Sequence, residues 1–235
     1  MQNLLLLHGA LGSKVQFIDL EKKLKDSFET YSINFSGHGG EPIPGEPFSI
    51  PLFVQDVLSF LDENKIDKIN IFGYSMGGYV GLYLARHYPE KINKLFTIAT
   101  KLKWTEEIAA RETKMLDSVK IKEKVPAFAE ELIMRHSQSN WGKVLSKTAE
   151  MMTTLGKENA INDEDYKLVE NTVLLSVGDR DKMVTIEETT EAYRKLKNGQ
   201  FMVLPETPHP FENVSVARLE DEIRKFFDYQ QSILK

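Results

Sequence analysis

The sequence predicts an α/β fold: a doubly wound, mostly or wholly parallel sheet of six strands with a helical insertion. Three observations lead to it. From Asn3 to Thr100, short apolar runs alternate with amphipathic helical patterns, as a parallel sheet covered by helices on both faces requires. From Lys103 to Glu170 that rhythm breaks, and only helical patterns remain. Between the two, Gly73-Tyr74-Ser75-Met76-Gly77 stands where a strand turns directly into a helix.

The elements follow in order. Asn3 to Leu7 is an apolar strand running into His8-Gly9-Ala10-Leu11-Gly12. A helix follows, with Val15, Phe17, Ile18, Leu20 and Leu24 apolar and Glu21, Lys22, Lys23 and Lys25 opposite. Phe28 to Phe35 is the second strand and ends at Ser36-Gly37-His38-Gly39-Gly40. Glu41 to Pro51 holds four prolines and a glycine and reads as a loop. Ile50 to Asn64 is an amphipathic helix, Ile69 to Tyr74 a buried strand, and the next helix runs to Tyr88, stopped by Pro89. Ile92 to Thr100 is the fourth strand.

The insertion shows helical patterns at Trp104–Leu116, Ala127–His136, Trp141–Leu155 and Glu164–Val169. It is too long for a loop, and strand patterns resume after it. This divides the chain into a core, 1–102 and 171–235, and a cap, 103–170. Thr172 to Val177 is a strand, Thr185 to Leu196 a helix and Gln200 to Leu204 the last strand. A closing helix runs from Glu212 to Gln231.

Composition narrows the function. With 235 residues the chain can close one full core. A net charge of −5 with interspersed signs argues against a nucleic-acid footprint. The absence of cysteine excludes disulfides, thiolate metal sites and a cysteine nucleophile. Leu4 to Leu7 has neither the basic flank nor the cleavage site of a signal peptide, and no stretch approaches the ~18 apolar residues of a membrane span. Two glycosylation-type triplets, at Asn34 and Asn213, are therefore read as chance. A cytoplasmic location and a small-molecule partner are expected, with no membrane or nucleic acid. The chain is expected to be a monomer or homodimer.

The chemistry is read from the strand ends. A sharp strand-to-helix corner penalises side-chain bulk; Gly73 and Gly77 remove it and leave the Ser75 hydroxyl projecting. A serine is a weak nucleophile without a base. Of five histidines, His209 alone follows the last strand, where the order Ser, acid, His places the base. The orienting acid follows the penultimate strand, where both Asp179 and Asp181 stand. Backbone donors for an oxyanion are expected from Met76, at the helix start, and Ala10, in the loop after the first strand. His8 is read as structural, holding that loop. Candidate pocket residues are Leu11, Tyr74, Trp104, Trp141, Met151 and Phe211. No metal and no cofactor are expected.

Five pieces in order — Leu7-His8-Gly9, Ser36-Gly37-His38-Gly39, Gly73 to Gly78, Gly178-Asp179-Arg180-Asp181 and Pro208-His209-Pro210-Phe211-Glu212-Asn213 — resemble the α/β-hydrolase fold superfamily, in its serine-nucleophile, esterase-like branch. The resemblance covers nearly all of the chain outside the cap. Its Gly-x-x-Asp spacing favours Asp181 over Asp179 as the acid. The family commonly begins with two further strands, so the resemblance implies a trimmed, all-parallel sheet here. It implies a serine hydrolase of a small carboxylic ester or thioester acting through Ser75, His209 and Asp181 and an acyl-enzyme. A second implication is a lyase, synthase or carbon–carbon bond hydrolase using the triad as a base. Gly73 to Gly78 and Gly37 to Gly40 resemble the menaquinone-pathway synthase, but Tyr79 stands where that synthase carries an arginine for an anionic substrate. A non-catalytic binding or interaction protein of the same fold is the alternative from another class.

Overall fold

The four consecutive leucines of β1 (Gln2–Leu7) divide between two cores. Leu5 and Leu7 point into one apolar cluster, and Leu4 and Leu6 into another on the opposite face. That division is the two-residue period of a strand buried on both sides. A computed structural model describes residues 1–137 and 140–228. The remaining strands are β2 (Phe28–Ile33), β3 (Ile69–Tyr74), β4 (Ile92–Ile98), β5 (Thr172–Gly178) and β6 (Gly199–Leu204). They pair in the order β2-β1-β3-β4-β5-β6, and every pairing is parallel.

Helices cover both faces. α1 (Ile18–Leu24) follows a 3₁₀ turn at Lys14–Phe17; α2 (Ile50–Glu63) and α3 (Met76–His87) come next. Ser49 starts α2 by accepting from the Leu52 amide at 3.2 Å, with Pro51 in the first turn. Between β4 and β5 lie α4 (Glu106–Thr113), α5 (Ser118–Lys124), α6 (Pro126–His136), α7 (Trp141–Lys157) and α8 (Asp163–Lys167). α9 (Ile186–Tyr193) joins β5 to β6, and α10 (Val216–Asp228) closes the described chain. One core is built from α2, α3 and α9 with parts of α4 and α7. The other holds α1 and α10.

The inserted helices split in their packing. Ala109, Val144, Met151, Met152 and Leu155 join the main core. Ile121, Ala129, Leu132, Trp141 and Leu145 form a small cluster of their own. The helix expected over Trp104–Leu116 is shorter, Glu106–Thr113. α5 was not expected from the sequence. Asp117 starts it by accepting from the Val119 and Lys120 amides at 3.0 and 3.2 Å. The closing helix begins later than expected, because a 3₁₀ turn at Phe211–Asn213 precedes it. Its expected end at Gln231 lies outside the described residues.

Doubly wound sheets gather ligands at the carboxyl ends of their strands. Here that edge carries the turn after β1, the corner after β3 and the loops after β5 and β6.

Candidate active site

Ser75 occupies the corner between β3 and α3 with φ 51° and ψ −115°. Positive φ is uncommon outside glycine, so its surroundings must hold it. Its amide donates to the Ile98 carbonyl at 2.9 Å, and its carbonyl accepts from the Gly78 amide at 3.0 Å. A Cβ at Gly77 would come within 2.2 Å of the Leu7 carbonyl oxygen, and one at Gly73 within 2.6 Å of Gly77 backbone. Only glycine lets helix and strands approach this closely.

His209, in the loop after β6, brings Nε2 to 3.5 Å from Ser75 Oγ. Its Nδ1 lies 2.8 Å from Asp181 Oδ2. The other Asp181 oxygen accepts from the Met183 and Val184 amides, both at 2.8 Å, and the carboxylate is wholly buried. Asp181 is thus fixed by backbone donors and the imidazole by Asp181, an arrangement that favours the tautomer with the proton on Nδ1. The 3.5 Å contact is long for a hydrogen bond. Asp179 takes another position. It accepts from the Thr207 amide at 3.3 Å and faces Arg180 at 3.9 Å, bracing the loop that carries His209 without reaching the imidazole.

A cavity of about 310 Å³ opens over Ser75 and His209. Ala10 and Met76 line it. Met76 opens α3, so its amide is one of the helix's first, which have no intrahelical acceptor. Leu11, Tyr74, Trp104 and Met151 also line it. Trp141 and Phe211 do not, and both expectations are corrected. Trp141 packs inside the small cluster of the insertion, with Lys122 Nζ 5.2 Å over its ring. Phe211 lies under Tyr74, edge-on to Phe17 at 5.1 Å, in the core on the α1 and α10 face.

Several further lining residues, Met115, Met183 and Lys101 among them, were not expected. Met76, Met115, Met151, Met152 and Met183 together bring five of the chain's eight methionines to this cavity. Helical period shows that α7 has an apolar face but not which residues of that face meet a void. Lys101 also lines the cavity. It is paired with Glu188 at 2.7 Å and donates to the Met183 carbonyl at 2.9 Å. Its position just after β4 was the available signal.

His8, His38 and His87 lie outside the cavity lining. His8 is buried; Nδ1 donates to the Gly9 carbonyl at 2.8 Å and Nε2 accepts from the Phe35 amide at 3.2 Å. Burial pushes its pKa down to about 3, with His136 and Arg135 adding to the effect. His38 is buried beside it, its pKa held well below the usual range by burial and then by His8. His87 stacks on Tyr83 in the last turn of α3, with ring centroids 4.2 Å apart. Among the described residues no group of three His, Asp or Glu side chains could hold a metal ion, and no helix is long and apolar enough to cross a membrane.

A parallel, doubly wound sheet carrying a serine on a strained corner, with a histidine and an aspartate on later strand ends, defines an α/β protein of hydrolase architecture. The chain belongs to the α/β-hydrolase fold family, whose model matches residues 2–128. A putative 2-succinyl-6-hydroxy-2,4-cyclohexadiene-1-carboxylate synthase of Bacillus subtilis is 35% identical over 96 residues, 40% of this chain and 35% of the relative. A probable alcohol acetyltransferase of Wickerhamomyces anomalus is 34% identical over 97 residues, 40% of this chain and 28% of the relative. These matches thus span well under half of either relative's length. Among solved structures, an enol-lactonase from Burkholderia xenovorans superposes with a TM-score of 0.79 at 17% identity, covering 97% of this chain and 92% of that one. At that identity the likeness concerns the fold.

Proposed function

We propose that this protein is a serine hydrolase of a small, neutral carboxylic ester or thioester. The observation that carries the reading is the Ser75–His209–Asp181 relay at the floor of an apolar cavity. Ser75 Oγ attacks the carbonyl carbon while His209 Nε2 takes its proton. Amides of Ala10 and Met76 receive the developing oxyanion. His209 then protonates the leaving alkoxide or thiolate, and the acyl group remains on Ser75. A water, giving its proton to His209, releases the acid and restores the serine.

The cavity supports the substrate class. At ~30 Å³ per water-sized group, about 310 Å³ accommodates about ten non-hydrogen atoms. Its thioether lining is apolar and adaptable. Its lysine is already neutralised by Glu188, and Tyr79, where the related synthase family has arginine, accepts from the Ile161 amide at 3.2 Å. An anionic substrate would find no unpaired cation among the described lining residues, which weighs against the synthase reading. We read the helices of 103–170 as the cap that sets substrate choice.

Labelling with a fluorophosphonate probe tests the reading. Wild-type protein should label and Ser75→Ala should not; absence of Ser75-dependent labelling would sink it. A series of p-nitrophenyl esters should then show an optimum at short to medium acyl chains and rejection of chains ending in a carboxylate.

A further inference from the structure

Helix α6 ends on Arg135 and His136, and both side chains reach the same atom. Arg135 Nη1 and His136 Nε2 each donate to the Leu11 carbonyl oxygen at 2.9 Å. Leu11 belongs to the turn that carries Ala10. That turn is closed by the Gly12 amide donating to the Gly9 carbonyl at 3.0 Å. Leu11 sits in it at φ 59°. This is the third position of the turn, where left-handed backbone is usually left to glycine. A leucine stays there only when surrounding contacts over-determine the conformation.

Those contacts come from a distant part of the chain. His136 uses both ring nitrogens: Nε2 on Leu11, and Nδ1 accepting from the Gly39 amide at 3.0 Å. Burial keeps it neutral, with its pKa lowered to about 4, so this donor–acceptor pattern persists near neutral pH. Arg135 reaches further. Its Nη2 lies 3.2 Å from Glu212 Oε1, which also accepts from Gln16 at 2.7 Å. Glu212 follows His209 in the 3₁₀ turn of the base loop. One guanidinium therefore bridges the turn after β1 and the loop that carries the base. Neither Arg135 nor His136 lines the cavity.

We propose that Arg135 and His136 are positioning residues for the oxyanion turn, acting through the Leu11 carbonyl, so that the Ala10 amide is presented to the substrate only when α6 is seated. This rests on the hydrolase reading and on Ala10 as an oxyanion donor. The physical basis is sensitivity to geometry: a misplacement of about 1 Å can lower rate about a hundredfold. A turn with leucine at left-handed φ has a ready alternative once its carbonyl is released.

The test uses the full chain and an ester that the wild type hydrolyses. Arg135→Met should lower kcat by about tenfold to a hundredfold while KM stays within about twofold. Arg135→Lys, which can restore one bond of the bridge, should recover part of the loss. His136→Gln should show a smaller loss of the same kind. A trifluoromethyl ketone, whose serine adduct places an oxyanion in the hole, should weaken in proportion to kcat/KM, while the matching methyl ketone binds as before. Thermal unfolding monitors the fold; if Arg135→Met does not fold, Arg135→Gln takes its place. Unchanged kcat, a change in KM alone, or equal weakening of both ketones would overturn the proposal. Fluorophosphonate labelling of wild type against Ser75→Ala separates the two levels. A wild type that labels and turns over, with variants that behave like it, defeats this inference alone. A wild type that never labels defeats it together with the hydrolase reading.

Discussion

The Tyr74 hydroxyl donates to the His209 carbonyl oxygen at 3.0 Å. This bond ties the residue preceding Ser75 to the backbone of His209. The two rings also lie near each other, with centroids 5.7 Å apart. The strand that presents Ser75 thereby anchors the loop that presents its partner. Burial raises the Tyr74 pKa, with Glu212 and Asp181 adding to it, so the phenol stays a donor.

Tyr74→Phe keeps the ring and removes that bond. It should cost about 1 kcal/mol of stability and lower kcat several-fold with little change in KM. Steady-state kinetics and denaturant unfolding on the same sample check both. A wild-type kcat would mean that the loop is held by packing alone.

Asp181→Asn should be far more severe. The amide can present its NH₂ group to His209 Nδ1 and so favour the wrong tautomer. A loss in kcat of about 10³ to 10⁴ is expected by analogy with other triads, with folding retained. Asp179→Asn should lose no more than a few-fold, because Asp179 braces Thr207 and does not reach the imidazole. Reversed magnitudes would exchange the roles of the two acids.

Gly78 makes a close approach that a compensating change can relieve. A Cβ there would lie 2.0 Å from Thr100 Oγ1, a buried hydroxyl with no partner among the described residues. Gly78→Ala should destabilise by about 1–3 kcal/mol, as overpacking does. Adding Thr100→Ala should return part of that loss, since the clashing oxygen is gone. Unfolding free energies for the two single variants and the double variant close the cycle.

Acid should weaken the fold through its buried histidines. His8 and His136 have pKa values lowered to about 3 and about 4, and His38 lies well below the usual range. In the unfolded chain all three titrate near 6.5. Between those values the unfolded state binds more protons, so stability is fully present above about pH 6.5 and falls as pH drops towards 4. Each histidine contributes up to about 1.4 kcal/mol per pH unit across that window. Urea midpoints at pH 7.5, 6 and 5 should fall in that order; a flat profile would contradict the neutral, buried assignment.

Substrate choice should separate two large apolar residues of one helix. Met151→Ala enlarges the cavity and should move the preferred acyl chain longer. Trp141→Ala removes the centre of the small cluster in the insertion and should cost about 3–5 kcal/mol locally without moving that preference. A chain-length profile for each variant distinguishes them.

The separation of Trp141 from Met151 also marks where sequence reading stopped. Both lie on the apolar face of α7, and period alone treats them alike. The difference arises because Trp141 and Leu145 pack with residues of α5 and α6, while the later turns of α7 pack against α4 and line the cavity. Phe211 shows the same limit: proximity to His209 in sequence does not tell which side of the loop its ring enters, and it enters the α1 and α10 core. α5 leaves little periodic trace, because its start depends on one capping side chain, Asp117, in a segment with few apolar residues.

What the sequence determined by itself was the sheet, the corner at Ser75 and the arrival of Asp181 and His209 at the same edge. These depend on local causes: apolar runs of strand length, glycines where no Cβ fits, and residues immediately beyond strand ends, which a parallel sheet must bring to one edge. The tertiary structure decided which methionines surround the cavity, that Lys101 enters it already paired with Glu188, and that Arg135 and His136 close on a carbonyl more than a hundred residues earlier. Such contacts leave no periodic trace, because they depend on how whole helices seat against one another and not on the residues adjacent in the chain.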